Sequence, residues 1–264
     1  MDPNTINVVT SCSLAGWNKY GLKCLEGIGQ YWPKQIQYHI VSEEPSLIPL
    51  QDLKRVRAWR NIDLTIWSIY SYLDAQKFYD RHMNNHAARG LNSSNGRYDF
   101  RKDAWRFSKK VFSIALIASM YPYGRLIWMD ADTITLKEMP YELLTRLPPD
   151  GYDMAYLDRS KIRYHSECGF IGYNLNRPTT MNFITAFSEL YASDRVFSLK
   201  EWHDSWVFDW LRANLKSEGY QIPYTDHRHP FNFSELGQYL DHLKGRRKDV
   251  GVSTDHPRFV KKKG

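Results

Sequence analysis

Residues 6–10, Ile-Asn-Val-Val-Thr, are a short β-branched run that stops at the polar cluster Ser11, Cys12, Ser13. A run this short, bounded by turn-forming residues, reads as a buried strand feeding a loop. Residues 17–31 follow with Leu22, Leu25 and Ile28 at helical spacing, and Trp32-Pro33 closes that helix. Residues 35–41 make a second strand. Strand, helix and strand in this order favour a parallel pair joined by a crossover, which makes the expected fold α/β: a mixed, mostly parallel sheet flanked by helices.

The rest of the chain keeps to that plan. Residues 66–79 read as a helix, and the polar stretch 81–96 as a surface loop. Ala104, Phe107, Val111, Ala115 and Ala118 lie along one face of a helix spanning 101–121. Pro122 to Gly124 ends it, and 126–129 is a four-residue apolar strand. Strands are expected at 154–157 and 169–173, and helices at 179–191 and 202–215. The segment from Pro230 onward carries too much Gly, Pro, Asn and charge for a long element. At 264 residues, with 42% hydrophobic and 25% charged content, the chain is read as one globular domain, 1–264.

Composition bounds the function classes. Cys12, Cys24 and Cys168 are too few and too scattered for a disulfide scaffold or a C-x-x-C zinc site, which suits a reduced, cytoplasmic setting. The start of the chain shows no secretion-signal pattern, and the longest nearly apolar run, 111–121, is about half of what a bilayer span needs. Thirty-six Lys and Arg against 29 Asp and Glu leave +7, a bias toward anionic partners such as nucleotides, nucleic acid or lipid headgroups. Much of this excess sits late, at Lys244, Arg246, Arg247, Lys248 and Lys261 to Lys263.

Two constellations carry chemistry. The first is Asp130-Ala131-Asp132, directly after the apolar strand 126–129. Residues two apart in an extended chain point to the same side, so both carboxylates can reach one divalent cation at a strand's carboxyl end, where open α/β sheets place their ligands. Two ionised carboxylates beside a buried strand repel each other unless a cation or a cationic side chain neutralises them, so a metal site and a structural salt bridge or turn are the two readings of the pair. The second is His242-x-x-Gly245-x-x-Lys248. There an imidazole can add a third ligand, a glycine lets backbone approach a phosphate, and a lysine neutralises it.

Together these motifs resemble glycosyltransferases of the GT-A fold, and within them the retaining family 8 type. That type carries D-x-D after an apolar strand and a late H-x-x-G-x-x-K. The resemblance implies Asp130, Asp132 and His242 as ligands of Mn2+ or Mg2+, with Asp130, Ala131, Gly245 and Lys248 contacting a nucleoside diphosphate sugar, UDP-sugar first. It divides the chain into a nucleotide-sugar half, 1–135, and an acceptor half, 136–264. The segment 167–174 resembles the family's strand between metal motif and acceptor helix, with Glu167-Cys168 where the family has Asn-Ala. Asp249-Val250 replaces its Pro-Trp, and Ser205 its usual Gln.

Four further groups are expected at the site. Asp204, at a helix start, is a candidate carboxylate for the anomeric centre, and Glu167 a candidate nucleophile, base or sugar contact. His203 is a candidate acceptor contact. Thr10 and Ser11, at the end of the first strand, and Arg101 and Lys109, on or near the helix before the D-x-D strand, are candidates for nucleotide contacts. The expected activity is hexosyl-type transfer from a nucleotide sugar to a saccharide or lipid-linked saccharide, with possible peripheral contact at the membrane's inner face. Modified DNA bases are the minority acceptor. A metal-dependent nuclease is the competing enzyme class, and a nucleic-acid binder held by the basic tail the non-catalytic one. The loop after the first strand lacks G-x-G-x-x-G, which disfavours a dinucleotide oxidoreductase.

Overall fold

The structure is a computed structural model, and it describes residues 4–44, 54, 62–92, 95–227, 229–245, 247–251 and 253. Seven strands form the central sheet: β1 (Ile6–Cys12), β2 (Ile36–Ser42), β3 (Asp63–Ser68), β4 (Arg125–Met129), β6 (Met154–Leu157), β7 (Glu167–Asn174) and β8 (Gly219–Gln221). Their order is β3-β2-β1-β4-β7-β6-β8, and β7 alone runs against its neighbours, so the sheet is mixed and mostly parallel. Two short strands, β5 (Thr133–Thr135) and β9 (Leu240–His242), pair separately and antiparallel.

Strand alternation sorts the core into two layers. Val9, Leu126, Trp128, Ile171 and Tyr173 face one layer, with α2 (Leu73–His82), α3 (Ala104–Met120), α4 (Pro178–Ala192) and α5 (Asp204–Leu215) packed there. Ile6, Val8, Ile127, Met129 and Phe170 face the other, against α1 (Leu22–Tyr31), Trp32 and Leu240. Every residue of β1, β4 and β7 is buried, as a sheet covered on both faces requires. Among the described residues no helix is long and apolar enough to cross a membrane. Cys12, Cys24 and Cys168 are buried and free.

Two local expectations change. Residues 63–68 are a strand, not the start of a helix: they add to the edge of β2 from Gln37↔Asp63 to Ser42↔Ser68, and the helix begins only at Leu73. The run containing Ile66, Trp67 and Ile69 satisfies either period locally, and the open edge of β2 decides it. Asp130 to Asp132, in turn, do not continue a strand. β4 stops at Met129, the Thr133 amide donates to the Asp130 carbonyl (3.1 Å), and the chain turns into β5. The two carboxylates meet because of this turn and not because of strand alternation.

Candidate active site

The apolar strand β4 carries the chain to the sheet's carboxyl edge, where the Asp130 amide donates to the Gly169 carbonyl (2.9 Å) and Trp128 Nε1 donates to Asp130 Oδ1 (2.7 Å). Pairing of Thr133 with His242 in β5–β9 then brings a residue from near the chain's end beside the turn. His242 Nε2 lies 3.2 Å from Asp132 Oδ1 and 3.5 Å from Asp130 Oδ2. These three groups offer ligand atoms that all lie within 4.8 Å of one another.

Space for the imidazole comes from Gly169: a Cβ there would stand 2.4 Å from His242 Cε1. Glu167 Oε1 sits 3.6 Å from His242 Nδ1, beyond hydrogen-bond length, while Lys244 Nζ donates to the other Glu167 oxygen and Arg159 stands 3.9 Å from it. Behind the ring, Phe231 packs at 5.1 Å between centroids, and Asn232 Oδ1 accepts from the His242 amide (3.3 Å).

Cations flank the carboxylates. Lys110 projects from α3 and places its Nζ 2.9 Å from Asp130 Oδ1, 2.6 Å from Asp204 Oδ2 and 2.8 Å from the Cys168 carbonyl. Lys248, in the short α6 (Arg247–Val250), reaches Asp132 Oδ2 at 2.5 Å and lies 4.9 Å from the Tyr20 ring. Tyr20 belongs to a π-helical turn, Trp17–Gly21, that precedes α1, and such turns recur at functional sites. Lys19 pairs with Asp249 (2.6 Å), so the same turn anchors α6. Gly245 makes the bend before α6 with a φ of 57°, a conformation that favours glycine.

These contacts tilt the titration of Asp130, Asp132, His242, Glu167 and Lys110. Burial opposes charge on Asp130, but Lys110 and His242 outweigh it and hold the carboxyl below its usual range. Asp132 is lowered against burial by His242, with Asp130 opposing and Lys248 assisting. Burial likewise opposes His242, yet Asp132, Asp130 and Glu167 raise it to about 9. Burial is overcome again at Glu167, where Lys244, His242 and Arg159 bring the carboxyl down to about 2, and at Lys110, where Asp130 and Asp204 push the amine well up.

The groups line one cleft with two lobes. The first, of about 380 Å³, is bounded by Ser11, Ser13, Tyr20, Lys109, Arg106 and the Asp130–Asp132 turn. The second, of about 300 Å³, shares Lys110, Asp130, Asp132 and Lys248 and adds Glu167, Asp204, His242, Lys244 and Gly245. Ser11 Oγ donates to Glu43 Oε1 (3.0 Å), and Lys109 Nζ pairs with Glu43 Oε2 (3.0 Å), on the wall of the first lobe.

Of the residues singled out from sequence, Ser11, Lys109, Asp130, Ala131, Asp132, Glu167, Asp204, His242, Gly245 and Lys248 therefore share this cleft. Three are placed elsewhere. Thr10 is buried in β1, Arg101 is exposed and engaged with Asp99, and His203 is buried behind Phe107 with its Nε2 on Glu201 (2.9 Å). Arg246 and Lys261 to Lys263 lie outside the described residues. Lys110, Arg106 and Tyr20 line the cleft without having been singled out in the sequence, and Lys244 stood out there only as part of the late basic excess. Only Lys110 left a signal: it stands four and seven residues before Ile114 and Ile117, on a buried stripe of α3 where a lysine needs partners.

The central sheet is mixed and mostly parallel, with helices packed on both faces. Solved glycosyltransferases share this fold. Over 83% of this chain and 45% of its own length, the glycosyltransferase GlyE of Streptococcus pneumoniae TIGR4 is similar at 12% identity and a TM-score of 0.50. The bifunctional glycosyltransferase WbbM is similar over 97% of this chain and 50% of its own, at 12% identity and a TM-score of 0.52. The chain thus spans about half the length of these structures. No family profile and no curated protein matches the sequence.

The donor set suits a hard or borderline divalent cation. At metal–ligand distances of about 2.0–2.2 Å, neighbouring ligand atoms stand about 3 Å apart, close to the separations between His242 Nε2 and the two carboxylates. Asp130, Asp132 and His242 would hold such an ion through two carboxylate oxygens and one imidazole nitrogen.

Proposed function

We propose that the protein is a divalent-metal-dependent glycosyltransferase that moves a sugar from a nucleoside diphosphate sugar, with UDP-sugar as the first candidate, to a saccharide or lipid-linked saccharide acceptor with retention of anomeric configuration. The observation that carries this reading is the gathering of Asp130, Asp132 and His242 at the junction of two cleft lobes, flanked by Lys110 and Lys248.

Asp130, Asp132 and His242 would hold Mn2+ or Mg2+, which when bound supplies Lewis-acid stabilisation to a departing diphosphate. The protein's own residues complete the task. Lys248 pairs with Asp132 on the cleft wall, and the Gly245 bend brings main chain to the same lobe, so both are placed for a phosphate oxygen. Ser11, Ser13, Tyr20 and Lys109 line the lobe we assign to the nucleoside. Asp204, paired with Lys110, is the carboxylate we assign to the anomeric centre, where an anion stabilises an oxocarbenium-like transition state. Glu167 is already engaged by Lys244 and Arg159 and abuts His242; we assign it to aligning that imidazole.

The test is incubation with a panel of nucleotide sugars, with Mn2+ or with chelator, following free nucleoside diphosphate. Release that chelation abolishes and Asp132→Ala eliminates is expected; release indifferent to both refutes the reading. Proton NMR of the product's anomeric signal checks retention.

A further inference from the structure

A second group of potential ligands lies outside the cleft. His165 precedes β7, Glu201 and His203 precede α5, and their ligand atoms all fall within 4.8 Å of one another. Glu201 Oε2 is 2.9 Å from His203 Nε2 and 3.8 Å from His165 Nε2. These separations bracket the roughly 3.3 Å expected between neighbouring ligands of a tetrahedral ion with bonds near 2.05 Å. Among the described residues the two imidazoles are the only ion-pair partners of Glu201.

The surroundings supply what a metal site needs beyond its ligands. Asp209 Oδ2 stands 3.8 Å from His165 Nδ1, the ring nitrogen turned from Glu201. The Ser166 amide (2.9 Å) and hydroxyl (2.6 Å) both donate to Asp209 and fix it there. A carboxylate behind a histidine is the usual outer-shell arrangement that orients a metal-binding imidazole. Phe100 and Phe107 pack on the His203 ring at 5.5 and 5.8 Å, giving that side an apolar wall. His203 is buried, whereas His165 is 36% exposed, so an ion has a route in and an outward position free.

We infer that His165, Glu201 and His203 form a second metal site, selective for a borderline cation of the Zn2+ class and distinct from the carboxylate-rich Asp130–Asp132–His242 site. Two nitrogens and one carboxylate oxygen suit Zn2+ or Co2+ better than Mg2+, which prefers oxygen. Its location suggests its use. His203 directly precedes Asp204, whose carboxylate meets Lys110, and His165 stands two residues before Glu167, which abuts His242. An ion joining them fastens together the two segments that deliver Asp204 and Glu167 to the cleft.

The experiment reads metal binding and not turnover. Full-length Asp132→Asn protein, in excess Mg2+, is titrated with Co2+ while the visible absorption of low-coordinate cobalt is followed, and Zn2+ stoichiometry is measured by equilibrium dialysis. One equivalent of Co2+ and of Zn2+ is expected, lost on adding His165→Ala or the nearly isosteric Glu201→Gln, with the far-ultraviolet circular dichroism unchanged. Asp209→Asn is expected to weaken Zn2+ binding by about 10- to 100-fold. No absorption band in the Asp132→Asn protein, or a band that survives both His165→Ala and Glu201→Gln, overturns the proposal, and neither outcome bears on the cleft.

Discussion

Gly169→Ala isolates the placement of one imidazole. The added Cβ would meet His242 Cε1 at 2.4 Å and Nδ1 at 2.5 Å, with Glu167 Oε1 at 3.2 Å. Ordinary carbon contacts lie at about 3.5 Å, so the ring or the strand must yield by about 1 Å. The ring has little room to do so: Phe231 is behind it, Asn232 holds its amide, and its strand is paired to Thr133. Overpacking of this kind costs about 1–3 kcal/mol of stability. A shift of about 1 Å is also a third of the 3.2 Å between His242 Nε2 and Asp132, enough to take the ring out of a shared coordination sphere. Misplacements of that size cost about 100-fold in a positioned reaction. We expect Mn2+ affinity and nucleotide-sugar turnover both to fall by roughly that factor while the protein remains folded, read by calorimetric Mn2+ titration, diphosphate release and thermal melting. Gly245→Ala is the contrast: among the described residues no atom beyond its chain neighbours lies within 4 Å of an added Cβ, and its positive φ costs about 1–2 kcal/mol without touching the imidazole. Wild-type Mn2+ affinity in Gly169→Ala would refute the assigned role of His242.

Three further outcomes are expected. Lys110→Met leaves the Asp130 and Asp204 carboxylates without their shared ammonium and should lower stability by about 3–5 kcal/mol, seen as a fall in the urea midpoint at neutral pH; an unchanged midpoint would show the lysine dispensable. Because His242 is raised to about 9 in the folded, metal-free protein, its contribution is complete below about pH 6.5 and lost as pH climbs through 9, up to about 3 kcal/mol in all. Melting temperature in chelator should therefore decline over that window, and His242→Gln should flatten the decline. Lys248→Ala should weaken UDP binding by about 10- to 100-fold, the loss of one charged hydrogen bond, with little change in melting temperature; equal UDP affinity would remove it from the phosphate site.

Much of the architecture could be read before any coordinates. The β-branched run at the start, the periodic helix and the second strand stand in the sheet as a parallel pair, because a strand buried on both faces and an amphipathic helix each leave their own period in the residues. The apolar strand ahead of Asp130 was legible for the same reason. Glu167 and Asp204 were visible as carboxylates at element starts, yet the lysine that grips Asp204 and the one that grips Glu167 were not, since a pairing across 94 or 77 positions leaves no local trace. Arg101 shows the opposite limit: its charge near the right helix is legible in the sequence, but its pairing with Asp99 and its place outside the cleft lining are not.

By itself, then, the residue order determined the helices and strands with strong periodicity, the acidic pair after an apolar strand, and the glycine-centred motif near the end. Tertiary structure alone decided that residues 63–68 join a sheet, that a turn and not a pleat aims Asp130 and Asp132 together, and that β5–β9 pairing delivers His242 to them. The physical reason is one of range. Burial pattern and backbone preference act over a few neighbouring residues and are written along the chain, whereas ligand convergence depends on which distant edges find each other when the core closes.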